Sequence, residues 1–231
     1  MDLKASLKNK DFWIFDLDNT LYPSSNGLMS DVSDRMTKFV SMVTDKSVEE
    51  ALIEQKELFK NHGTTLRGLM IRYSIDPWDF LRFVHNVNYN LVEKNQKLGN
   101  AIKALKGKKI IYTNASATHA KKVLERLGFL EEFDSIFDVS DASWIPKPHI
   151  RSYQTLMEKI KFNPRSSVMI EDIAPNLRPA SDIGITTVWI KQKNPEAPSW
   201  TLPEEKSDYI DYTIDDLTEW LESLAPKQKT F

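Results

Sequence analysis

Phe12-Trp13-Ile14-Phe15-Asp16-Leu17-Asp18-Asn19-Thr20-Leu21-Tyr22 is the stretch that decides the fold. Its first four residues are apolar without alternation, the pattern of a short strand buried on both faces of a parallel sheet. Two carboxylates and an asparagine follow at once, where such a strand must end. Further short runs recur along the chain: Ile110-Ile111-Tyr112, the weaker Ile136-Phe137, Val168-Met169-Ile170, Thr187-Val188-Trp189-Ile190 and Tyr209-Ile210. Helical periodicity follows most of them. Ser116 suits an N-cap, Ala120, Val123, Leu124 and Leu127 make one apolar stripe, and Gly128 ends it. Pro175 suits a first helical residue, and Gly184 closes that helix. Strand and helix in alternation predict an α/β, doubly wound (Rossmann-like), mostly parallel sheet.

One interval breaks the alternation. Asp18 and Thr113 lie too far apart for a single crossover, which needs only a helix and short loops. Inside the interval Met29, Val32, Met36, Phe39, Val40 and Val43 repeat at helical spacing. Ser47-Val48-Glu49-Glu50 has the form of a capping box, and Asp76-Pro77 gives an N-cap with a first-turn proline. Residues 24–95 are therefore expected to form an inserted α-helical cap, and residues 1–23 with 96–231 the α/β core. Asn194-Pro195-Glu196-Ala197-Pro198 reads as a loop, and the tail Pro226–Phe231 as a frayed end.

The 231 residues carry a net charge of −2, so no basic field invites a nucleic acid polymer or an anionic membrane. There are no cysteines, which excludes disulfides, thiolate catalysis and cysteine-based zinc sites. The first six residues lack the apolar run of a secretory leader, and no segment has the roughly 18 apolar residues of a membrane span. The expectation is a soluble, cytoplasmic protein. Its oligomeric state is not legible.

The polar residues fall where chemistry is expected. Asp16 and Asp18 end the first strand, Thr113 and Asn114 the second, and Glu171 and Asp172 the Val168-Met169-Ile170 strand. Lys147 sits between Pro146 and Pro148, just before a helix. Ligands of open α/β sheets bind at the carboxyl ends of the strands, so these residues should converge. Four carboxylates in one crevice would raise each other's pKa values, and a divalent cation relieves this. Oxygen-only ligands suit Mg²⁺. Lys147, a hydroxyl and a helix N-terminus then remain for a phosphate, and an aspartate beside bound phosphate can take the phosphoryl group as an aspartyl-phosphate.

Asp16-Leu17-Asp18-Asn19-Thr20-Leu21 resembles the first motif of the haloacid dehalogenase (HAD) superfamily phosphatases, Asp-x-Asp-x-Thr-Leu. Tyr112-Thr113-Asn114, Lys147-Pro148 and Glu171-Asp172 are similar to the second, third and fourth motifs, in order. The resemblance implies Asp16 as nucleophile and metal ligand, and Asp18 as general acid and then base, its carbonyl also binding Mg²⁺. It implies Thr113, the Asn114 backbone and Lys147 on the phosphoryl oxygens. Asp172 would ligate the metal, with Glu171 a second or water-mediated ligand. Asn176 stands where many members carry a further carboxylate, which leaves the ligand count open.

His62-Gly63-Thr64-Thr65-Leu66-Arg67-Gly68-Leu69 and Phe83-Val84-His85 extend the similarity to the pyrimidine 5′-nucleotidase branch. This implies a small-molecule phosphate ester as substrate, and specifically a pyrimidine nucleoside 5′-monophosphate. Arg67 and His85 are the candidate substrate contacts in the cap, each weighed against a structural role. His62, His85, His119 and His149 show no metal-ligand spacing. A dehalogenase would share the fold but have no use for an acid at Asp18. A phosphomutase would keep both aspartates, and a non-catalytic binding module would have lost some motif residue.

Overall fold

β1 (Phe12–Phe15) is the centre of the molecule, buried along its whole length as the unbroken apolar run requires. The computed structural model describes residues 7–191, 198–204 and 207–224. β1 pairs with β2 (Lys108–Tyr112) on one side and β4 (Ser167–Glu171) on the other. β3 (Ser135–Phe137), β5 (Thr186–Ile190) and β6 (Tyr212–Ile214) extend the sheet outward. The order is β3-β2-β1-β4-β5-β6, and every pairing is parallel. The two-residue period of β1 divides its side chains between two cores. Trp13 and Phe15 pack with α5 (Gln96–Lys103), α6 (Ala117–Leu127) and α9 (Leu217–Leu224). Phe12 and Ile14 pack on the other face with α7 (Ile150–Ile160) and α8 (Arg178–Asp182). The sheet is doubly wound, and the strand order reverses beside β1, which places a crevice at its carboxyl end.

Four helices are inserted after β1: α1 (Leu28–Thr44), α2 (Val48–His62), α3 (Thr65–Tyr73) and α4 (Pro77–Val84). Their caps are those the sequence announces. Ser47 and Glu50 form a capping box at α2, and Asp76 accepts a hydrogen bond from the Trp78 amide ahead of Pro77 in α4. The helices share a core of their own around Phe39, Val40, Leu58, Leu69 and Phe80, which Val139 of the α/β domain joins. Leu28 at one end and Val92 at the other pack instead with the sheet's core. α2 and α3 cross at Gly68, where a Cβ would lie 2.8 Å from Leu58 Cβ and 2.6 Å from Leu58 Cδ2. Gly68→Ala is therefore expected to destabilise the protein by about 1–3 kcal/mol through overpacking, read as a lower urea midpoint with an unchanged slope.

Two sequence expectations need correction. Tyr209-Ile210 is not the last strand. Tyr209 is buried, but its carbonyl accepts from the Thr187 hydroxyl at 2.7 Å and the Asp211 carboxylate takes the Thr187 amide at 2.8 Å. Side chains satisfy that edge, and the backbone ladder begins only at Tyr212. The helix opened by Pro175 also does not run to Gly184. Pro179 has no N–H to donate back to Pro175, so a 3₁₀ turn, Ala174–Leu177, precedes the short α8. Met1–Ser6, residues 194–197 of the expected loop and the Pro226–Phe231 tail lie outside the described residues. Among the described residues no helix is long and apolar enough to cross a membrane.

Candidate active site

The carboxyl ends of β1, β2 and β4 deliver their polar residues to one place. The Asp16 amide donates to the Ile170 carbonyl at 3.0 Å, so the ladder continues one residue past β1 and aims the side chain at the crevice. The chain then turns, with Asn19 in the left-handed region and the Leu21 amide bonded to the Leu17 carbonyl. That turn carries Tyr22 back to Asp18, whose Oδ1 accepts from the Tyr22 hydroxyl at 2.5 Å. After β2, Thr113 is buried, its amide donating to Phe137 and its hydroxyl accepting from the Ala115 amide. Asn114 grips the Lys147 backbone in both directions. Its Oδ1 accepts from the Lys147 amide at 2.8 Å, and its Nδ2 donates to the Lys147 carbonyl at 3.2 Å.

That grip points a buried ammonium, 1% exposed, into the acids. Lys147 Nζ donates to Asp16 Oδ1 at 2.7 Å, to the Tyr112 carbonyl at 2.8 Å and to Glu171 Oε1 at 2.9 Å, which uses all three of its protons. Glu171 also accepts from Asn176 Nδ2 at 2.5 Å and from the Ile173 amide at 2.7 Å. The amide at position 176 thus supplies a donor where a carboxylate would add repulsion. Even so, the negative charge is under-compensated. Burial raises Asp16 to about 7; Lys147 opposes this, while Glu171 and Asp18 add to it. Burial, then Glu171 and Asp16, hold Asp172 well above the usual carboxylate range. Carboxylate oxygens of Asp16, Glu171 and Asp172 lie within 4.8 Å of one another. An all-oxygen, net-negative donor set of this kind fits a hard divalent cation.

The profile of the haloacid dehalogenase-like hydrolases matches residues 13–190, from β1 through β5 and across all of these residues. The chain belongs to this hydrolase family. It is 25% identical over 224 residues to the glyceraldehyde 3-phosphate phosphatase of Pyrococcus furiosus, covering 91% of each chain. Its fold is similar to that of a HAD phosphatase from Thermococcus onnurineus, with a TM-score of 0.59 at 18% identity over 93% of this chain and 98% of the other. It is equally similar to the L-2-haloacid dehalogenase of Xanthobacter autotrophicus with chloropropionic acid covalently bound, with a TM-score of 0.59 at 15% identity over 92% and 97%.

In this hydrolase the insert roofs a cavity of about 350 Å³ whose floor holds Asp16, Asp18, Thr113, Asn114, Lys147, Glu171 and Asp172. All seven core residues singled out by sequence meet there. Of the two candidates in the insert, His85 lines the cavity and Arg67 does not. Thr64, Thr65 and Leu66 line it instead. The roof is mostly apolar, with Met36, Phe59, Leu66 and Phe80 among its side chains.

Sequence reasoning missed His119, which is 1% exposed and lies 2.9 Å through Nε2 from Asp18 Oδ1. Its other nitrogen, Nδ1, lies 3.0 Å from the Tyr89 hydroxyl. That hydroxyl donates its own proton to the His85 carbonyl at 2.9 Å, so toward His119 it accepts, and Nδ1 carries a hydrogen. His119 Nε2 and Asp18 Oδ1 are thus joined by a hydrogen bond. Burial alone would raise the Asp18 pKa, but the charge and hydrogen bond of His119, with the Tyr22 bond, hold it below the usual value. His85 is pushed down to about 3 by burial and by His119, and stays neutral.

Proposed function

We propose that the hydrolase is a Mg²⁺-dependent phosphomonoester hydrolase that works through an aspartyl-phosphate on Asp16. The observation that carries this reading is the second carboxyl group, Asp18, which shares the cavity with Asp16 and Lys147 and is hydrogen-bonded to an imidazole. Displacing halide from carbon needs no such group; releasing an alcohol does.

In the first step an Asp16 carboxylate oxygen attacks phosphorus, the ester P–O bond breaks, and the leaving oxygen takes a proton from Asp18, whose pKa, low in the free protein, the negative charge of the bound phosphate raises. In the second step Asp18 takes a proton from water as the water oxygen attacks phosphorus. The bond to Asp16 breaks, returning its carboxylate and inorganic phosphate. Thr113 and the Asn114 backbone hold the phosphoryl oxygens, and Lys147 gives up one of its three present bonds to join them. Mg²⁺, bound by Asp16, Asp172 and the Asp18 carbonyl, with Glu171 direct or through water, would supply countercharge to the phosphoryl group. The inserted helices act as a cap that excludes water.

The resemblance of the cap segment favours pyrimidine nucleoside 5′-monophosphates as substrates, with a base against the apolar roof. A second reading, a phosphatase of broad range, is favoured by the same roof, which offers little to read a particular alcohol. Phosphate release from UMP, CMP, purine nucleotides, sugar phosphates and glyceraldehyde 3-phosphate decides between them. UMP and CMP are expected to lead by tenfold or so in kcat/KM, about 1.4 kcal/mol of transition-state discrimination. A lead for another class would replace the nucleotidase reading, and no release from any ester would end the phosphatase reading.

A further inference from the structure

Asp18 Oδ1 is held from two sides, by Tyr22 at 2.5 Å and by His119 at 2.9 Å, and both partners belong to the α/β core. What holds His119 comes from the insert. The ring of His85, the residue that closes α4, stacks on the His119 ring with centroids 4.3 Å apart and planes 23° from parallel. Tyr89, on the segment returning to the core, bridges His119 Nδ1 and the His85 carbonyl. His85 Nδ1 lies 2.9 Å from the hydroxyl of Ser116, the N-cap of the helix that carries His119. A continuous set of contacts thus runs from the end of the inserted helices to Asp18.

We propose that His119 is a positioning residue for Asp18, and that the exit of the insert, through His85 and Tyr89, holds it in place. This rests on the phosphatase reading above. The Asp18 carboxyl swings about two soft torsions. Pinning one oxygen from two directions leaves Oδ2, which has no protein partner among the described residues, as the oxygen presented to the substrate. Misaim of a proton donor by a fraction of an ångström is costly in rate, while the loss of a filler side chain is costly only in stability. Asp18 is therefore aimed when the exit of the insert is seated against α6, and freed when it is not.

The test compares p-nitrophenyl phosphate, whose leaving group needs little protonation, with benzyl phosphate, whose alkoxide needs a proton. His119→Ala is expected to lower kcat about a hundredfold on benzyl phosphate and less than about fivefold on p-nitrophenyl phosphate, with KM nearly unchanged on both. His119→Gln, which keeps a donor at similar reach, should recover much of the loss. Tyr89→Phe should give the same pattern more weakly. In an Asp18→Asn background, His119→Ala should add no further difference between the two esters, because residues acting as a unit are not additive. Equal losses on both esters, or a further selective loss in the Asp18→Asn background, would overturn the proposal. If His119→Ala does not fold, Tyr89→Phe carries the same comparison, and wild-type activity of that variant on both esters would also overturn the proposal. Wild-type protein that releases phosphate from neither ester sinks the phosphatase reading, and this inference with it. Wild-type turnover with the wrong pattern in the variants sinks this inference alone.

Discussion

Asp16→Asn is expected to fold like the wild type and to release phosphate at less than about a thousandth of its rate, a loss of at least about 4 kcal/mol in transition-state stabilisation. An amide oxygen is a poor nucleophile toward phosphorus, and Asp18, the other carboxylate that follows β1, is turned to Tyr22 and His119. The fold should survive because asparagine keeps the volume and can still accept from Lys147 Nζ, now 2.7 Å from Asp16 Oδ1. Removing one negative charge from a cluster of four also relieves repulsion. The checks are phosphate release and urea unfolding on the same preparation. Wild-type-like turnover by the folded variant would take Asp16 out of its role.

Stripping divalent cations with excess chelator is expected to stop phosphate release, and Mg²⁺ to restore it. Ca²⁺ should restore little, because its larger and looser coordination shell misplaces the attacking oxygen. A second readout does not depend on activity. Mg²⁺ at a hundredfold over its Kd should raise the unfolding free energy by about 2.7 kcal/mol, and Asp172→Ala should abolish that gain. Burial and neighbouring acids hold Asp16 near 7 and Asp172 above its usual range, so binding at neutral pH should also release protons, measurable by calorimetry in buffers of different ionisation heat. Full activity in chelator, with no shift in stability, would contradict the metal assignment.

Much of this was legible because a parallel strand buried on both faces writes an unbroken apolar run, and the residue after the run must sit at the crevice. Asp16, Thr113 and Glu171 are found that way. Lys147 is legible from its two prolines, but the Asn114 amide that clamps it is not, since that contact joins two loops from different strands. His119 hides for a related reason. It sits beside Ala120 and ahead of Val123 on the buried side of α6, so it looks like one more core residue until β1 and α6 are placed side by side. Arg67 is placed differently, outside the lining of the cavity. Its charge and the glycine after it suggested a substrate contact. Yet it is Thr64, Thr65 and Leu66, just before it, that line the cavity. Tyr209 was read as a strand because burial was visible in sequence and backbone pairing was not.

The central position of β1 carries a consequence for how the chain is made. Phe12 pairs with Lys108 on one side and Ser167 on the other, so β1 leaves the ribosome without its partners, which follow only after the insert and most of the sheet have been synthesised. Among the inserted helices α1 packs on α2 and α2 on α3, neighbours in sequence that can close short loops early. β1 cannot. Until β2 and then β4 emerge, Phe12-Trp13-Ile14-Phe15 is an unpaired apolar segment of the kind that invites misassociation in a nascent chain. The strand that delivers Asp16 to the crevice is thus the one that biosynthesis leaves uncovered longest.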